Sequence, residues 1–392
     1  MADLRTVIQQ QVDKGNAPGL VVLVARNDDV VVEAAGVRRI GGEAMTRDTI
    51  CRVASITKPL TAALTMMLVE DGRIGLDDPV AGLLPELSEP RVLRDPMGPV
   101  DDTVACERPI TTRDLLTFQA GIGFPADFSA PVCSLLFEQL LQGPPQPAAV
   151  PEPDEWMRRL AGVPLLHQPG AGWTYNTGSD ILGVLLARAS GMPLPGLVEE
   201  RLTGPLGMVD TAFAVPRGSL DRMATYYRHT EEGAGLVVAD EPDGQWASMP
   251  RFPSGAGGLV STVDDWLAFG RMLLARGSHE GRRILSAASV DLMLTDTTTP
   301  QMRAAAGVFL EGQGWGFGGS VDVAETNPWN AIGRYGWIGG TMTAGYVDPA
   351  LGTVTVLLAQ VEVGGPGTED LLGSTLTAAR EQVAPRPRAD RT

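Results

Sequence analysis

Strand-like segments stand at the two ends of this 392-residue chain, and the long stretch between them is helical and rich in proline and glycine. Near the start, two apolar runs at 20–25 and 30–35 flank Arg26-Asn27-Asp28-Asp29, a cluster of turn formers, which predicts a β-hairpin. Near the end, strand character recurs at about 314–317, 333–336, 341–348 and 353–361. Such a layout predicts an α+β protein whose antiparallel sheet is built from both termini and flanked by helices, with a mostly α-helical insertion. We expect a sheet domain from 1–80 and 255–392, an insertion domain from 81–254, and a site in the crevice between them. Helical periodicity is read at 3–15, 112–118, 133–141, 152–160, 179–190, 194–202, 262–275, 286–294 and 368–382. One further helix begins near Ser55, carries Leu60, Leu64, Met67 and Leu68 on one face, and stops at Gly72. The Pro/Arg-rich tail 384–392 is expected to fray.

Charge narrows the function. With 31 basic and 47 acidic residues the net charge is −16, and no basic stripe offsets it, so a nucleic-acid partner is not expected. No apolar run approaches the roughly 18–20 residues of a membrane span. The first residues are charged and amphipathic, unlike a secretory signal. Three irregularly spaced cysteines, Cys51, Cys106 and Cys133, read as reduced thiols, and the expected compartment is the cytoplasm. His167, His229 and His279 lack ligand spacing, so no metal is expected.

Only two of the basic residues are lysine, Lys14 and Lys58. Arginine keeps its proton in a protein, whereas a buried lysine can lose it and act as a base. Lys14 reads as a solvated charge on the first helix. Lys58 closes Ser55-Ile56-Thr57-Lys58, and residues i and i+3 of a helical turn share a face, which brings the Ser55 hydroxyl near the Lys58 amine. Serine needs such a base to become a nucleophile, and the helix start offers free N–H groups to a developing oxyanion. The plainer alternative is a helix N-cap followed by a surface charge. With fifteen serines and two lysines, the pattern arises by coincidence in roughly one chain in thirteen.

Two more patterns carry possible chemistry. Pro169-Gly170-Ala171-Gly172-Trp173-Thr174-Tyr175-Asn176 precedes a helix, and its tyrosine can point into a cleft; beside a lysine its phenol would lose its proton more readily. The alternative is an aromatic plug anchoring a loop. Tyr335-Gly336-Trp337-Ile338-Gly339-Gly340-Thr341 enters a strand with paired glycines, which lets a ligand approach the backbone or simply marks a bulge. No G-x-S-x-G, phosphate loop or dinucleotide fingerprint occurs, and nothing in the sequence orients His167 as a triad base.

In this order the three patterns resemble the serine β-lactamase and penicillin-binding-protein superfamily, in its class C-like branch that includes family VIII carboxylesterases. The segments Gly72-Arg73-Ile74-Gly75-Leu76-Asp77-Asp78-Pro79, Ile110 to Thr117, Gly257 to Thr262 and Gly314-Trp315-Gly316-Phe317-Gly318 extend the similarity over most of the chain. The resemblance implies a β-lactamase-like fold with Ser55 as the acylated nucleophile and Lys58 and Tyr175 as general base and acid. It also implies an oxyanion hole from the Ser55 and Gly340 N–H groups, and substrate contacts at Trp337, Ile338, Gly339 and Asn176.

Departures from the pattern favour esters over lactams. Thr177 stands two residues after Tyr175, where the family usually has asparagine. Sliding the match to place Asn176 there would put Thr174 where the tyrosine belongs. No lysine lies beyond 58, so the third motif cannot be Lys-Thr-Gly, and Trp337 takes its place as in family VIII esterases. The expected function is a cofactor-free serine carboxylesterase acting on a small-molecule, short-chain ester. The rivals are a β-lactamase or D-aminopeptidase, for which Arg334 would be the carboxylate-binding cation, an acyltransferase, or a non-catalytic ligand-binding relative.

Overall fold

A strand that is apolar at every position must be covered on both faces, and this decides how the ends of the chain assemble. The computed structural model describes residues 3–230, 233 and 235–383; the tail expected to fray lies outside the described residues. Seven strands form one sheet: β1 (Gly19–Arg26), β2 (Asp29–Gly36), β3 (Gln313–Trp315), β4 (Ser320–Asp322), β5 (Tyr335–Gly339), β6 (Thr343–Asp348) and β7 (Thr353–Ala359). Their order is β3-β4-β5-β6-β7-β1-β2, with every neighbouring pair antiparallel. The N-terminal hairpin therefore docks on the C-terminal meander through β1 and β7, with Val22 opposite Leu357.

Side chains alternate across β1. Leu20, Val22 and Val24 point to one face and share a core with Leu4 and Ile8 of helix α1 (Leu4–Asp13) and Leu371, Leu376 and Ala379 of the C-terminal helix at Thr368–Val383. Val21, Leu23 and Ala25 enter the larger core with Trp266, Phe269 and Met272 of the helix at Val263–Leu274. Each fully buried valine or leucine contributes about 1.5–3 kcal/mol, so a charge at Val22 would cost more than one such contact and split the hairpin from its helices. Strand β2 lies at an edge and is mostly half-exposed. The hairpin closes at Arg26 and Asp29, with Asn27 left-handed at φ 53°.

Several short elements differ from the periodicity, among them the strands Arg91–Leu93, Thr103–Ala105, Tyr226–His229 and Leu236–Asp240 and the helix Pro300–Ala306, none of which was expected. Strand β4 was not expected, because three residues beside the Gly318-Gly319 turn carry no readable alternation. The strand expected at 333–336 begins two residues later, after Gly333 turns the chain with φ 85°. The single helix expected at 194–202 is Leu194–Val198 followed by a wider π turn at Glu199–Thr203. Among the described residues, no single helix is long and apolar enough to cross a membrane.

The sheet positions the candidate site through its β5–β6 end. The hydroxyls of Thr341 and Thr343 donate to the carbonyls of Arg52 (2.7 Å) and Val53 (2.9 Å), which hangs the segment before Ser55 on the sheet. Gly339 permits the approach: a Cβ there would lie 2.6 Å from the Val53 carbonyl oxygen and 2.2 Å from the Thr343 hydroxyl.

Candidate active site

Ser55 sits in a single 3₁₀ turn, Ala54–Thr57, and Lys58 opens helix α2 (Lys58–Glu70), with Pro59 suited to the helix start. The 3₁₀ turn eclipses i and i+3, so it aligns serine and lysine more closely than the α-helical turn expected from the spacing. Lys58 Nζ donates to Ser55 Oγ at 2.8 Å and to the Ala256 carbonyl at 2.7 Å. Ala54 is held at φ 45°, a left-handed conformation that costs a non-glycine residue of order 1 kcal/mol or more and kinks the chain just before the serine.

Lys58 is fully buried at the start of a helix whose first eleven residues are all buried. Burial disfavours the ammonium and lowers its pKa from 10.5 to about 7, against an opposing pull from the Asp180 carboxylate. The amine is thus available as a base near neutral pH; Lys14 lies exposed elsewhere and pairs with Asp370 at 2.7 Å.

Tyr175 comes from a loop about 120 residues away. Its backbone exchanges two hydrogen bonds with Phe124 (2.8 and 2.9 Å), and a Cβ on Gly123 would collide with its carbonyl at 2.4 Å. Its ring stacks on Phe309 at 4.6 Å and meets Phe118 edge-on at 5.9 Å, while Lys58 Nζ lies 4.8 Å from the ring centroid. The Trp337 indole N–H donates to the phenol oxygen at 2.6 Å. The expectation of a readily ionised phenol is overturned. Burial pushes the phenol pKa up to about 12, outweighing the lowering influence of the neighbouring Ser55 and Trp337 donors.

A cavity of about 130 Å³ opens beside the serine, bordered by Ser55, Asn176, Asp180 and Gly340 and walled by the 140–147 loop, Trp156, Trp246 and Phe252. Ser55 and Gly340 both border this cavity. Asn176 borders it in a γ-turn conformation (φ 82°, ψ −63°), with the Thr177 N–H donating to the Tyr175 carbonyl at 3.2 Å. Trp337, Ile338 and Gly339 do not line this cavity. Trp337 instead reaches the site through Tyr175, as a hydrogen-bond donor rather than an apolar wall, and Gly339 packs against the serine's own turn.

The alternative alignment on Thr174 finds no support, since that hydroxyl is buried and makes no hydrogen bond. Arg334 is turned away: it pairs with buried Asp322 at 2.8 Å and lies 3.8 Å over the Tyr346 ring, on the sheet face covered by α1. Among the described residues, no arginine or lysine lines the cavity. His167 is not part of the site; its Nδ1 faces the Gln168 carbonyl.

Sequence reasoning assigned no role to Asp180 and Gln142. Asp180 is buried on the first turn of the helix Thr177–Ser190, and burial raises its pKa. Its position five residues after Tyr175 was the available signal. Gln142 lies in a loop, where spacing carried no signal.

Fold and site together define a serine hydrolase, and the chain belongs to the beta-lactamase family, whose model matches residues 4–378. It is 37% identical over 363 residues to an uncharacterised protein of Mycobacterium tuberculosis, covering 90% of this chain and 88% of that one. It is 28% identical over 414 residues to esterase EstB of Burkholderia gladioli, covering 98% and 95%. Among solved structures it is similar to EstCE1, described as a hydrolase with promiscuous acyltransferase activity, with a TM-score of 0.79, 27% identity, and coverage of 96% and 97%.

Proposed function

We propose that the protein is a serine carboxylesterase that cleaves short-chain carboxylic esters through an acyl-enzyme on Ser55. The observation that carries this is the buried Lys58 amine, 2.8 Å from the Ser55 hydroxyl and with a pKa near 7. Neutral Lys58 takes the serine proton as Oγ attacks the ester carbonyl, and the backbone N–H groups of Ser55 and Gly340 receive the oxyanion. Collapse breaks the ester C–O bond, and the neutral Tyr175 phenol passes a proton to the departing alkoxide while Lys58 restores it. Water then attacks the acyl carbon and gives its proton to the same pair, which passes it to Ser55 Oγ as the acyl–Oγ bond breaks and the acid leaves.

This division of labour follows from the two proton affinities: a phenol near 12 serves as donor and an amine near 7 as base. The small cavity favours a short acyl group. Its lack of a lining cation disfavours substrates that need a carboxylate bound, and the esterase relative agrees in kind. An added alcohol could replace water on the acyl-enzyme, a reading favoured by the acyltransferase activity named for EstCE1.

The test is hydrolysis of p-nitrophenyl butyrate by wild type and Ser55→Ala, matched for fold by circular dichroism. Activity lost with the serine is the expected result. Activity surviving in Ser55→Ala refutes the assignment, and no activity in either leaves a ligand-binding protein as the better description.

A further inference from the structure

Three side chains that the reaction above does not use form a buried network against the base. We propose that Asp180 is a positioning residue, which holds the Ala256 backbone that accepts from the Lys58 amine and the loop that walls the acyl cavity in one hydrogen-bonded unit; the proposal rests on the esterase reading.

The carboxylate reaches in two directions. One oxygen accepts from the Ser254 hydroxyl (2.6 Å) and the Ala256 N–H (3.1 Å). The carbonyl of that same Ala256 accepts from Lys58 Nζ at 2.7 Å, so the residue that Asp180 orients is the one that aims the amine at Ser55. Close packing keeps the segment in place: Thr61 of α2 donates to the Gly255 carbonyl at 2.7 Å, and a Cβ on Gly255 would lie 2.4 Å from the Ser179 carbonyl. The other carboxylate oxygen accepts from Gln142 Nε2 at 2.9 Å, and the Gln142 carbonyl oxygen accepts from the Thr177 hydroxyl at 2.7 Å. Gln142 belongs to the cavity-walling loop, where Leu141 is left-handed at φ 53° and Gly143 lies at φ 136°. The Gln142 amide therefore ties the loop to the base's support.

Thr177 occupies the position where related sequences usually carry asparagine. Here its hydroxyl fixes the amide orientation of Gln142, because Gln142 must present its oxygen to Thr177 and its N–H₂ to Asp180. Asp180 must then remain an acceptor on both sides.

Electrostatics adds a second consequence. The charge acting on Lys58 is that of Asp180, which favours the ammonium, and the other titratable group in contact is the Tyr175 ring. Removing the carboxylate charge makes Lys58 easier to deprotonate. A residue with only a packing role would leave the pH profile unmoved.

Asp180→Asn tests both arms. The new side-chain oxygen can still accept from Ser254 and Ala256, but the new N–H₂ would face that of Gln142, donor against donor. We expect kcat for p-nitrophenyl butyrate to fall roughly 10–100-fold through loss of alignment, and the acid limb of kcat/KM to move to lower pH. Gln142→Ala frees the loop while leaving the carboxylate, so the acid limb stays and the preferred acyl chain lengthens from butanoyl toward octanoyl. The double variant Asp180→Asn/Gln142→Glu reverses the hydrogen-bond polarity. The carboxylate it introduces on the loop accepts from both the introduced amide N–H₂ and the Thr177 hydroxyl, and most of the lost kcat should return. Wild-type kcat and acid limb in Asp180→Asn, or a wild-type chain-length profile in Gln142→Ala, would overturn the proposal. Should Asp180→Asn fail to fold, the Gln142→Ala profile decides. Ser55→Ala assayed alongside separates the two levels: if it is active the esterase assignment falls, and if it is dead while Asp180→Asn behaves as wild type only this inference does.

Discussion

Replacing Lys58 by methionine should make the protein more stable at neutral pH while abolishing its activity. The unfolded chain keeps the lysine proton up to about pH 10.5, whereas burial makes the folded chain release it near pH 7. At about 1.4 kcal/mol per tenfold change in proton affinity, that difference opposes folding by about 4 kcal/mol at pH 7. The sign follows from proton counts. Between pH 7 and 10.5 the unfolded state binds more protons, so wild-type stability rises with pH, and the penalty is fully present below 7. Methionine fills a similar volume without the penalty, but it leaves the Ala256 carbonyl without its donor, at a cost of about 1–3 kcal/mol. A net gain of about 2 kcal/mol at pH 7 remains. The assay is urea unfolding of wild type and Lys58→Met at pH 6, 7, 8.5 and 10, with the comparison taken as a difference so that other titrating groups cancel. The variant should lead at pH 6–7 and lose its advantage by pH 10. A pH-independent difference, or a variant no more stable than wild type at pH 6–7, would show that Lys58 keeps an ordinary proton affinity, and the base role would fall with it.

Other outcomes follow from the same geometry. In wild type, kcat/KM should rise with pH through about 7 as Lys58 loses its proton, measured as initial rates on a non-ionising ester; a flat profile from pH 5.5 to 8.5 would contradict it. Trp337→Phe keeps an aromatic side chain but removes the N–H that holds the Tyr175 oxygen, so kcat should drop about tenfold with little change in KM. Gly339→Ala drives a methyl group into the Val53 carbonyl and should cut both melting temperature and activity; unchanged activity would mean that the sheet does not set the serine's position. Asn176→Gly relieves a left-handed non-glycine residue and should gain about 1 kcal/mol in thermal unfolding, with slower turnover if the asparagine amide contacts substrate.

What the sequence settled by itself was local. The Ser55–Lys58 contact lies within one helical turn, where spacing alone dictates proximity. The hairpin was legible because turn formers separate two apolar runs, and the sheet drawn from both ends followed from where the strand-like segments stand. Tertiary structure decided everything that depends on distant neighbours. Tyr175 could be named from its motif, but not the direction of its pKa, because that follows from burial among Phe118, Phe309 and Trp337. Arg334 stood close in sequence to the third motif yet is spent on Asp322 on the far side of the sheet, since alternate residues of a strand and its flanks look to opposite faces. Gln142, Asp180 and Ala256 come together from a loop, a helix start and a glycine-rich turn. No periodicity records that meeting; it arises only when the helices close over the serine and leave a buried amine whose charge water no longer supports.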